Sequence, residues 1–342
     1  MPTIKNISGC LIIVALMVSS CKKETDYDIK GDPEIKFFTN NGSLGNAPIN
    51  SITYAVVNIP DGAAWKNLST TMPSVIKFPV FATRPVSETV EIAAEVDNSL
   101  IAAYNAAHNT SFKELPGGIL DAAALRAVIS KGQTTSSDSI SIPTDAGGLG
   151  GLTEPAYMVP VKLTRVSNPA LGAITSNTLT QVTYIVLNTE FRRINYNANA
   201  SAVSGTLASP RTGWTATFSP APTTNGNIFD GNTNTFVRWG NSTTGQADID
   251  LQQARNMGGI RLLTTTTAAQ RPLSIAVWLS SDGNNYDQIG LLQRNDIAFV
   301  GGYEFLVFYQ PITARYVRLV FTYGTSTNTQ NRRINEFDIY AN

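Results

Sequence analysis

Apolar and polar residues alternate in short stretches along most of the chain. In residues 88–96, Val90, Ile92 and Ala94 fall on the same side of an extended backbone. A period of two is typical of β-strands. By this pattern we predict strands over residues 52–57, 75–80, 88–96, 137–142, 157–166, 181–188, 274–279 and 316–321. Short strands broken by Gly, Pro and Asn indicate an all-β chain built of β-sandwiches.

One segment has a helical period instead. Leu100, Ala103, Tyr104 and Ala107 recur at the spacing of one helix face. We therefore predict a helix over residues 98–107, inserted between two of the predicted strands.

The first 21 residues have the pattern of an export signal. Lys5 precedes an unbroken apolar run from Cys10 to Val18. This run is too short to span a membrane, for which about 20 apolar residues are needed. Ser19 and Ser20 then precede Cys21, so we predict a secretory signal peptide over residues 1–20.

The cleavage region resembles a bacterial lipobox, in which Cys21 becomes the lipidated first residue of the mature protein. A plain signal peptide with an incidental cysteine is the alternative. The charged stretch after Cys21 resembles the export signal of Bacteroidetes surface lipoproteins, although a solvated linker has the same composition. We expect residues 21–33 to be a lipidated tether that holds the protein at the outer membrane, exposed at the cell surface.

Composition excludes several classes of function. Lys+Arg and Asp+Glu are equal at 25 each, so no basic excess favours nucleic acid. His108 is the one histidine, which excludes multi-histidine zinc sites. No motif supplies a Ser and an Asp for His108, and we interpret it as a turn residue rather than a catalyst. Asp248 and Asp250 share one strand face and project in parallel, which is typical of a solvated face rather than of a glycosidase pair.

The type of basic residue changes near residue 190, and this change predicts a domain boundary there. From Phe191 to Asn342 the chain has twelve arginines and no lysine, whereas residues 22–190 contain nearly all the lysines. We predict one domain over residues 34–190 and a second over residues 191–342.

The first predicted domain resembles a domain common in lipoproteins of Bacteroidetes polysaccharide loci. The resemblance lies in residues 103–112 followed by Leu115-Pro116, and in the later strand Tyr157–Val161. It implies an immunoglobulin-like β-sandwich without an assigned activity, which usually precedes a glycan-handling module.

The second predicted domain resembles a discoidin (coagulation factor five/eight type C) domain, the fold of many family 32 carbohydrate-binding modules. Four blocks occur in the family's order: Asn227–Phe236, Ala247–Leu251, Val277–Tyr286, and Ala314–Leu319 with Asn335–Tyr340. The resemblance implies a galactose-binding-like, eight-stranded jelly-roll sandwich.

The loop around Asp230 is crowded with oxygen-bearing side chains. A hard cation takes six to eight oxygen ligands, so such a loop suits Ca²⁺, and an Asp-Gly turn capped by its own side chains is the alternative. The resemblance implies side-chain ligands from Asp230, Asn232, Thr235 and Glu336, and carbonyl ligands from Asn227, Thr235 and Asn335. The ion would be structural, and Na⁺ would suit the same loop.

Sugar binding needs an aromatic ring for the apolar face of the sugar and planar donors for its hydroxyls. In the discoidin fold, ligands usually lie on loops at one end of the sandwich. The candidates for hydroxyl binding are Arg238, Arg271, Asn328 and Arg332, and those for stacking are Trp239 and Tyr323. Val237 stands where the family has a tryptophan, so the alternative role of Trp239 is that of a displaced core residue. We predict that Trp214 and Trp278 are core residues.

Together these features predict a non-catalytic, cell-surface glycan-binding lipoprotein of a polysaccharide-utilisation system. Its partners would be an oligosaccharide or polysaccharide and an outer-membrane glycan import complex. The alternatives are a structural or protein-docking subunit without sugar binding, and an accessory of a glycoside hydrolase.

Overall fold

The computed structural model describes residues 34–39, 51–196, 198–325 and 332–342. The predicted signal peptide, the whole predicted tether with Cys21, and Asn328 lie outside the described residues. Within the described ranges, no helix combines the length and the apolar character needed to cross a membrane.

The part of the chain up to Phe191 is mostly β-structure, as predicted. Its helices are α1 (Leu100–His108) and α2 (Thr178–Gln181), with short 3₁₀ turns at Ala146–Gly151 and Pro169–Leu171. Its described strands are β1 (Lys36–Phe38), β2 (Ser51–Asp61), β3 (Ala64–Thr70), β4 (Val75–Phe78), β5 (Phe81–Ala82), β6 (Val90–Val96), β7 (Lys113–Glu114), β8 (Leu125–Ile129), β9 (Ile140–Pro143), β10 (Ala156–Val166), β11 (Ala173–Ile174) and β12 (Val182–Phe191).

These strands form a sandwich around one apolar core. The main sheet has the order β3-β2-β12-β10-β6-β8, with β7 beside β10, and two small sheets have the orders β11-β1-β5 and β4-β9. Most neighbours are antiparallel, but β12 runs parallel to β2. Side chains of all three sheets, such as Phe37, Ile76 and Ile92, are fully buried in the same cluster. The alternation predicted for residues 88–96 is confirmed, since Val90 and Ile92 are buried.

Helix α1 is confirmed in position, but its buried face differs from the predicted one. Ile101 is the buried residue of the helix, whereas Ala103 and Ala107 are exposed. The ring of Tyr104 packs 4.9 Å from the ring of Tyr184 on β12. The helix thus buries the face that carries Ile101 and Tyr104 and exposes the face that carries the alanines. This orientation is favourable because a tyrosine ring buries more apolar area than an alanine side chain.

The chain passes from the first set of sheets to the second between Phe191 and Ile194. The second set has 3₁₀ turns at Ala200–Ala202, Ala268–Gln270 and Arg294–Asp296. Its described strands are β13 (Ile194–Asn195), β14 (Thr206–Leu207), β15 (Thr215–Ser219), β16 (Thr224–Asn225), β17 (Val237–Arg238), β18 (Thr244–Leu263), β19 (Ser274–Ser280), β20 (Asp287–Gln293), β21 (Ala298–Val300), β22 (Tyr303–Thr322), β23 (Arg333–Ile334) and β24 (Glu336–Ala341).

Two long strands, β18 and β22, each contribute to both layers of this second domain. The order is β14-β24-β18-β22-β19-β20, with β15 beside β18, β13 and β21 beside β22, and a separate sheet β16-β17-β23. Strands β18 and β22 pair along nearly their whole length, with register shifts after Asp250 and after Met257. Such bulges bend strands. The first half of β18 therefore pairs with β15, and its second half with β24, across one core.

The bend brings the two ends of these long strands to the same end of the sandwich. The loops that meet there comprise residues 239–243, 264–273, 294–302, 323–325 and 332–333. We call these loops, together with the adjoining small sheet β16-β17-β23 and Phe236 directly before β17, the rim. The Leu273 amide donates to the carbonyl of Thr322, and the Tyr323 amide donates to that of Thr243, both at 2.7 Å. The discoidin-like sandwich predicted for this part of the chain is confirmed.

Candidate functional site

Arg332 is buried and fastens three segments of the rim. Its Nη1 donates to the carbonyl of Asn241 at 2.6 Å and lies 3.2 Å from that of Ser242. Its Nη2 donates to the carbonyl of Gly324 at 2.9 Å. The guanidinium therefore holds the loop after β17 against the end of β22. The predicted role in binding sugar hydroxyls does not fit this position.

Trp239 and Tyr323 are core residues in this structure. Only 2% of Trp239 and 4% of Tyr323 is exposed, and their ring centres lie 6.3 Å apart. Both rings also pack against Phe321. Stacking on a sugar needs an open ring face, so the predicted stacking role does not fit either residue. The alternative, that Trp239 replaces the core tryptophan missing at Val237, agrees with its burial.

Arg271 also points into the domain. Its Nη1 donates to the carbonyl of Ile297 at 3.3 Å, and its guanidinium lies 5.1 Å from the centre of the Phe299 ring. Glu304, which is fully buried, accepts a hydrogen bond of 2.8 Å from Thr264. Burial raises the pKa of Glu304, while Thr264 and the Arg271 charge oppose the rise. The structure thus brings four predicted rim residues together, but with their side chains inside the domain.

The outward-facing part of the rim holds two arginines around an aromatic ring. Arg238 on β17 and Arg333 on β23 are direct cross-strand neighbours. Their guanidinium carbons lie 5.8 Å and 5.0 Å from the centre of the half-buried Phe236 ring. Burial, and then the charge of Arg238, lowers the pKa of Arg333. We call Phe236, Arg238 and Arg333 the rim arginine site.

Strand alternation explains why this site was only partly predicted. Val237 and Ile334 are paired and fully buried, so the paired arginines beside them point outward. The same alternation turns Trp239 and Arg332 inward. Arg238 was a predicted site residue, whereas Phe236 and Arg333 were not. Period-two alternation through these two short strands was the signal that would have found them.

The loop around Asp230 gathers several oxygen atoms. The Thr235 hydroxyl lies 3.0 Å from the Asn227 carbonyl, 2.8 Å from the Asn232 carbonyl and 3.0 Å from Oδ1 of Asp230. The side chain of Asn232 instead accepts a hydrogen bond from the amide of Asn234. The backbone carbonyl of Asn232, rather than its side chain, therefore faces these oxygen atoms. The Asp230 carboxylate also accepts from the Asn232 amide, which is the turn cap considered as the alternative.

Glu336 closes this loop from the start of β24. Its Oε2 accepts from Arg211 at 2.8 Å, while its buried Oε1 makes no hydrogen bond within the described residues. Burial raises the pKa of Glu336 to about 7, with a further rise from Asp230 and an opposing effect of Arg211. Two facing carboxyl groups beside a hydroxyl and two carbonyls form a donor set that fits a hard cation. Asn335 tethers the loop by donating from its side chain to the carbonyl of Thr233 at 2.8 Å.

The remaining candidates take structural positions. His108 is exposed at the end of α1, with its ring 4.5 Å from that of Tyr104. Asp248 and Asp250 lie on the outer face of β18, where they pair with Arg318 and Arg315.

Two tryptophans were predicted to be core residues, and the structure buries one of them. Trp214 is buried, with 7% exposed. Trp278 was predicted to be a core residue, but it is only partly buried and lies on the outer face of β19. The reason is alternation, because Val277 and Leu279 on either side of it occupy the core.

Two family models match the chain. Residues 50–170 match a model described as a "-like, N-terminal domain", and residues 196–336 match the F5/8 type C domain. The second domain thus matches the F5/8 type C model over most of its length, in agreement with the predicted resemblance.

Solved structures show the same architecture. A two-domain protein of unknown function from Bacteroides fragilis NCTC 9343 is similar over 99% of this chain and 100% of its own, with 16% identity and a TM-score of 0.53. At this identity the likeness shows the fold of both domains together. A comparison with curated proteins gives no match.

Single-domain structures match parts of the chain. The family 32 CBM of C. perfringens NanJ in complex with galactose has 16% identity over 39% of this chain and 98% of its own, with a TM-score of 0.33. The C-terminal domain of a chitobiase from Bacteroides fragilis has 25% identity over 40% of this chain and 97% of its own, with a TM-score of 0.31.

Proposed function

We propose that this protein is a non-catalytic, cell-surface carbohydrate-binding lipoprotein that holds glycans at the rim of its F5/8 type C domain. The observation that carries the proposal is the rim arginine site. It places the guanidinium groups of Arg238 and Arg333 beside the Phe236 ring, on the outward side of a rigid end of the sandwich.

The chemistry of this site matches that of a saccharide. Each guanidinium carries several N–H donors in a fixed plane, which suits the hydroxyl and acidic groups of a sugar, and the Phe236 ring packs against both guanidinium groups. The pairing of β17 with β23, and the Arg332 contacts behind it, hold these groups in place. A site that is ordered before binding loses less side-chain entropy when the ligand arrives.

The charges favour an acidic glycan. Arg333 makes no salt bridge within the described residues, and its cross-strand neighbour is another arginine. Like charges directly opposite each other are unfavourable, and an anion bound to Arg333 would offset the repulsion that Arg333 experiences from Arg238. We therefore expect a sugar that carries a carboxylate or a sulfate, bound through bidentate hydrogen bonds.

A glycan array probed with the full chain tests this function. We expect binding to acidic glycans that falls at least tenfold in Arg333→Gln. Arg126→Gln is the matched control, because Arg126 is exposed on the first domain and, among the described residues, pairs with Glu91 alone across 3.4 Å. Equal binding by Arg333→Gln and the control would exclude the rim arginine site. No binding to any glycan would favour the protein-docking alternative.

We also propose a structural cation in the loop around Asp230. Asp230, Thr235 and Glu336 would hold it through side-chain oxygens, and Asn227 and Asn232 through carbonyls. The ion would supply charge neutralisation between the two carboxylates and join an early loop to the last strand. Ca²⁺ is the ion that best suits this number of oxygens, and Na⁺ remains the alternative.

Lipidation of Cys21 would anchor the protein at the outer membrane. This part of the proposal is supported by the lipobox-like sequence before Cys21. The resemblance of the first domain to domains of polysaccharide-locus lipoproteins supports a role beside a glycan import complex. Fractionation of cells tests the anchor: we expect the wild-type chain in the outer membrane and Cys21→Ser in soluble fractions. A Cys21→Ser chain that stays in the membrane would exclude the lipid anchor.

A further inference from the structure

The outer face of the second domain has a polar row that crosses four strands in register. Thr217 pairs with Asp248, Asp248 pairs with Arg318, and Arg318 pairs with Trp278. These side chains point away from the core because the residues next to them, such as Ile249 and Val317, are buried. The row lies on the sheet, whereas the rim arginine site lies on the loops and the small sheet at the end of the sandwich.

This face is concave rather than flat. Two open cavities of about 290 Å³ and 390 Å³ lie on it, and both are lined by Tyr286 and Arg318. The first extends over Asp248 and Asp250, and the second extends over Trp278. The two cavities adjoin at these two shared residues, and we call them together the face groove. Their volumes lie near the lower end of the range for ligand sites, about 300–1,000 Å³.

The walls of the face groove are rigid. The guanidinium carbon of Arg318 lies 4.0 Å from the centre of the Tyr286 ring. The turn before Tyr286 is fixed because Asp282 accepts from the amides of Asn284 and Asn285, at 2.8 Å and 2.9 Å. Gly283 in this turn lies so close to the Tyr316 ring that a Cβ would be 3.1 Å from it, and its φ of +78° also favours glycine.

The charges of the groove cancel, but donors remain. Arg315 binds Asp250 through two hydrogen bonds of 2.8 Å, and Arg318 binds Asp248 through its Nε. Within the described chain, the Nε bond to Asp248 is the hydrogen bond that Arg318 makes, so both terminal nitrogens keep donors for a ligand. Two carboxylates and two guanidinium groups give no net charge, which does not favour a polyanion.

From this arrangement we infer that the face groove is a second saccharide-binding site, for a neutral oligosaccharide. Trp278 supplies a partly exposed ring for the C–H face of a sugar, and the ion-paired Arg318 and Asp248 supply a donor and an acceptor for hydroxyls. The groove crosses several strands, so it would bind consecutive residues of a chain rather than a single end. It is separate from the rim arginine site and does not depend on it.

Affinity electrophoresis of the full chain tests this inference. The gels would contain one polysaccharide each: neutral galactan, mannan, xylan and β-glucan, and acidic polygalacturonate. We expect retardation by at least one neutral polysaccharide, weakened at least tenfold in Trp278→Ala and unchanged in Arg333→Gln. Leu291→Ala is the matched control, because Leu291 is 48% exposed and lies on the neighbouring strand outside the groove. Gel filtration and near-UV circular dichroism would verify that each variant is folded.

The outcomes separate this inference from the proposed function. Retardation by a neutral polysaccharide that is equal in Trp278→Ala and Leu291→Ala would overturn the face groove. Retardation by polygalacturonate alone, lost in Arg333→Gln, would also overturn it while leaving the rim arginine site intact. The absence of retardation in every gel would overturn both.

Discussion

Arg211 and the buried Glu336 form an ion pair, with Nη1 of the arginine 2.8 Å from Oε2 of the glutamate. The same nitrogen lies 2.7 Å from Oδ1 of Asp338, and Arg261 binds the other oxygen of Asp338. The pair joins the segment before β15 to the last strand, next to the loop of Asp230. The side chains of Glu336 and Asp338 are only 3% and 7% exposed, so they depend on these arginines for their charge balance.

Removing the Arg211 charge should destabilise the second domain strongly. We expect Arg211→Met to lower the free energy of unfolding by about 3 kcal/mol, because it leaves the buried Glu336 carboxylate without its cation. Urea denaturation measures this change. Arg126→Met is the control, since its exposed pair should contribute less than about 1 kcal/mol. Similar losses in the two variants would contradict the structural role of Arg211.

Calcium should stabilise the second domain. An ion that binds only the folded state adds about 2.7 kcal/mol at 100 times its dissociation constant. We expect Ca²⁺ to raise the melting temperature of the wild-type chain, chelator to reverse the rise, and Asp230→Ala to remove it. The same melts in Na⁺ alone distinguish the two ions. A melting temperature that changes with neither ion would show that the loop is only a turn capped by its own side chains.

Stability should depend on pH through Glu304. Burial raises the pKa of its carboxyl in the folded state above the ordinary value of 4.5. Below that ordinary value both states hold the proton. As the pH rises from there through the raised pKa, the unfolded state loses the proton first, so the wild-type chain loses stability.

The variant Glu304→Gln should lack this loss. We expect the difference in melting temperature between the variant and the wild type to be small near pH 4 and to grow in favour of the variant toward pH 7. Thermal melts in matched buffers measure it. A difference that stays constant across this range would show that Glu304 does not titrate as described.

Trp239 should be essential for folding rather than for stacking. It is 2% exposed and packs against Phe321 and Tyr323, so Trp239→Ala should lower the free energy of unfolding by about 3–5 kcal/mol. Trp278→Ala should lower it much less, because Trp278 lies on the outer face of the sheet. Urea denaturation followed by circular dichroism compares the two. A mild effect of Trp239→Ala would contradict its place in the core.

The strands could be predicted because alternation of apolar residues is a direct consequence of their geometry. Residues 274–279 show both the success and the error. Ile275, Val277 and Leu279 are buried as predicted, and the same alternation requires Trp278 to face outward. The prediction of Trp278 as a core residue was wrong because position within the strand decides the direction of its side chain.

The rim could be predicted only in part. The sequence indicates which loops carry side chains suited to ligand binding, and the structure does bring Arg271, Trp239 and Tyr323 together at one end of the second domain. The direction of each side chain depends on the two-residue strands β17 and β23, whose pairing is long-range. Arg238 and Arg333 meet because of that pairing, although 95 residues separate them in the sequence.

The central claim is that the rim of the F5/8 type C domain binds carbohydrate through Phe236, Arg238 and Arg333. Isothermal titration calorimetry with oligogalacturonate tests it most directly, using the wild-type chain and the variant Arg238→Gln/Arg333→Gln. The account predicts saturable binding by the wild type that weakens at high salt and is lost in the folded double variant. Equal heats of binding for the two proteins would contradict it. The absence of any binding heat for a folded wild type with every acidic oligosaccharide would also contradict it.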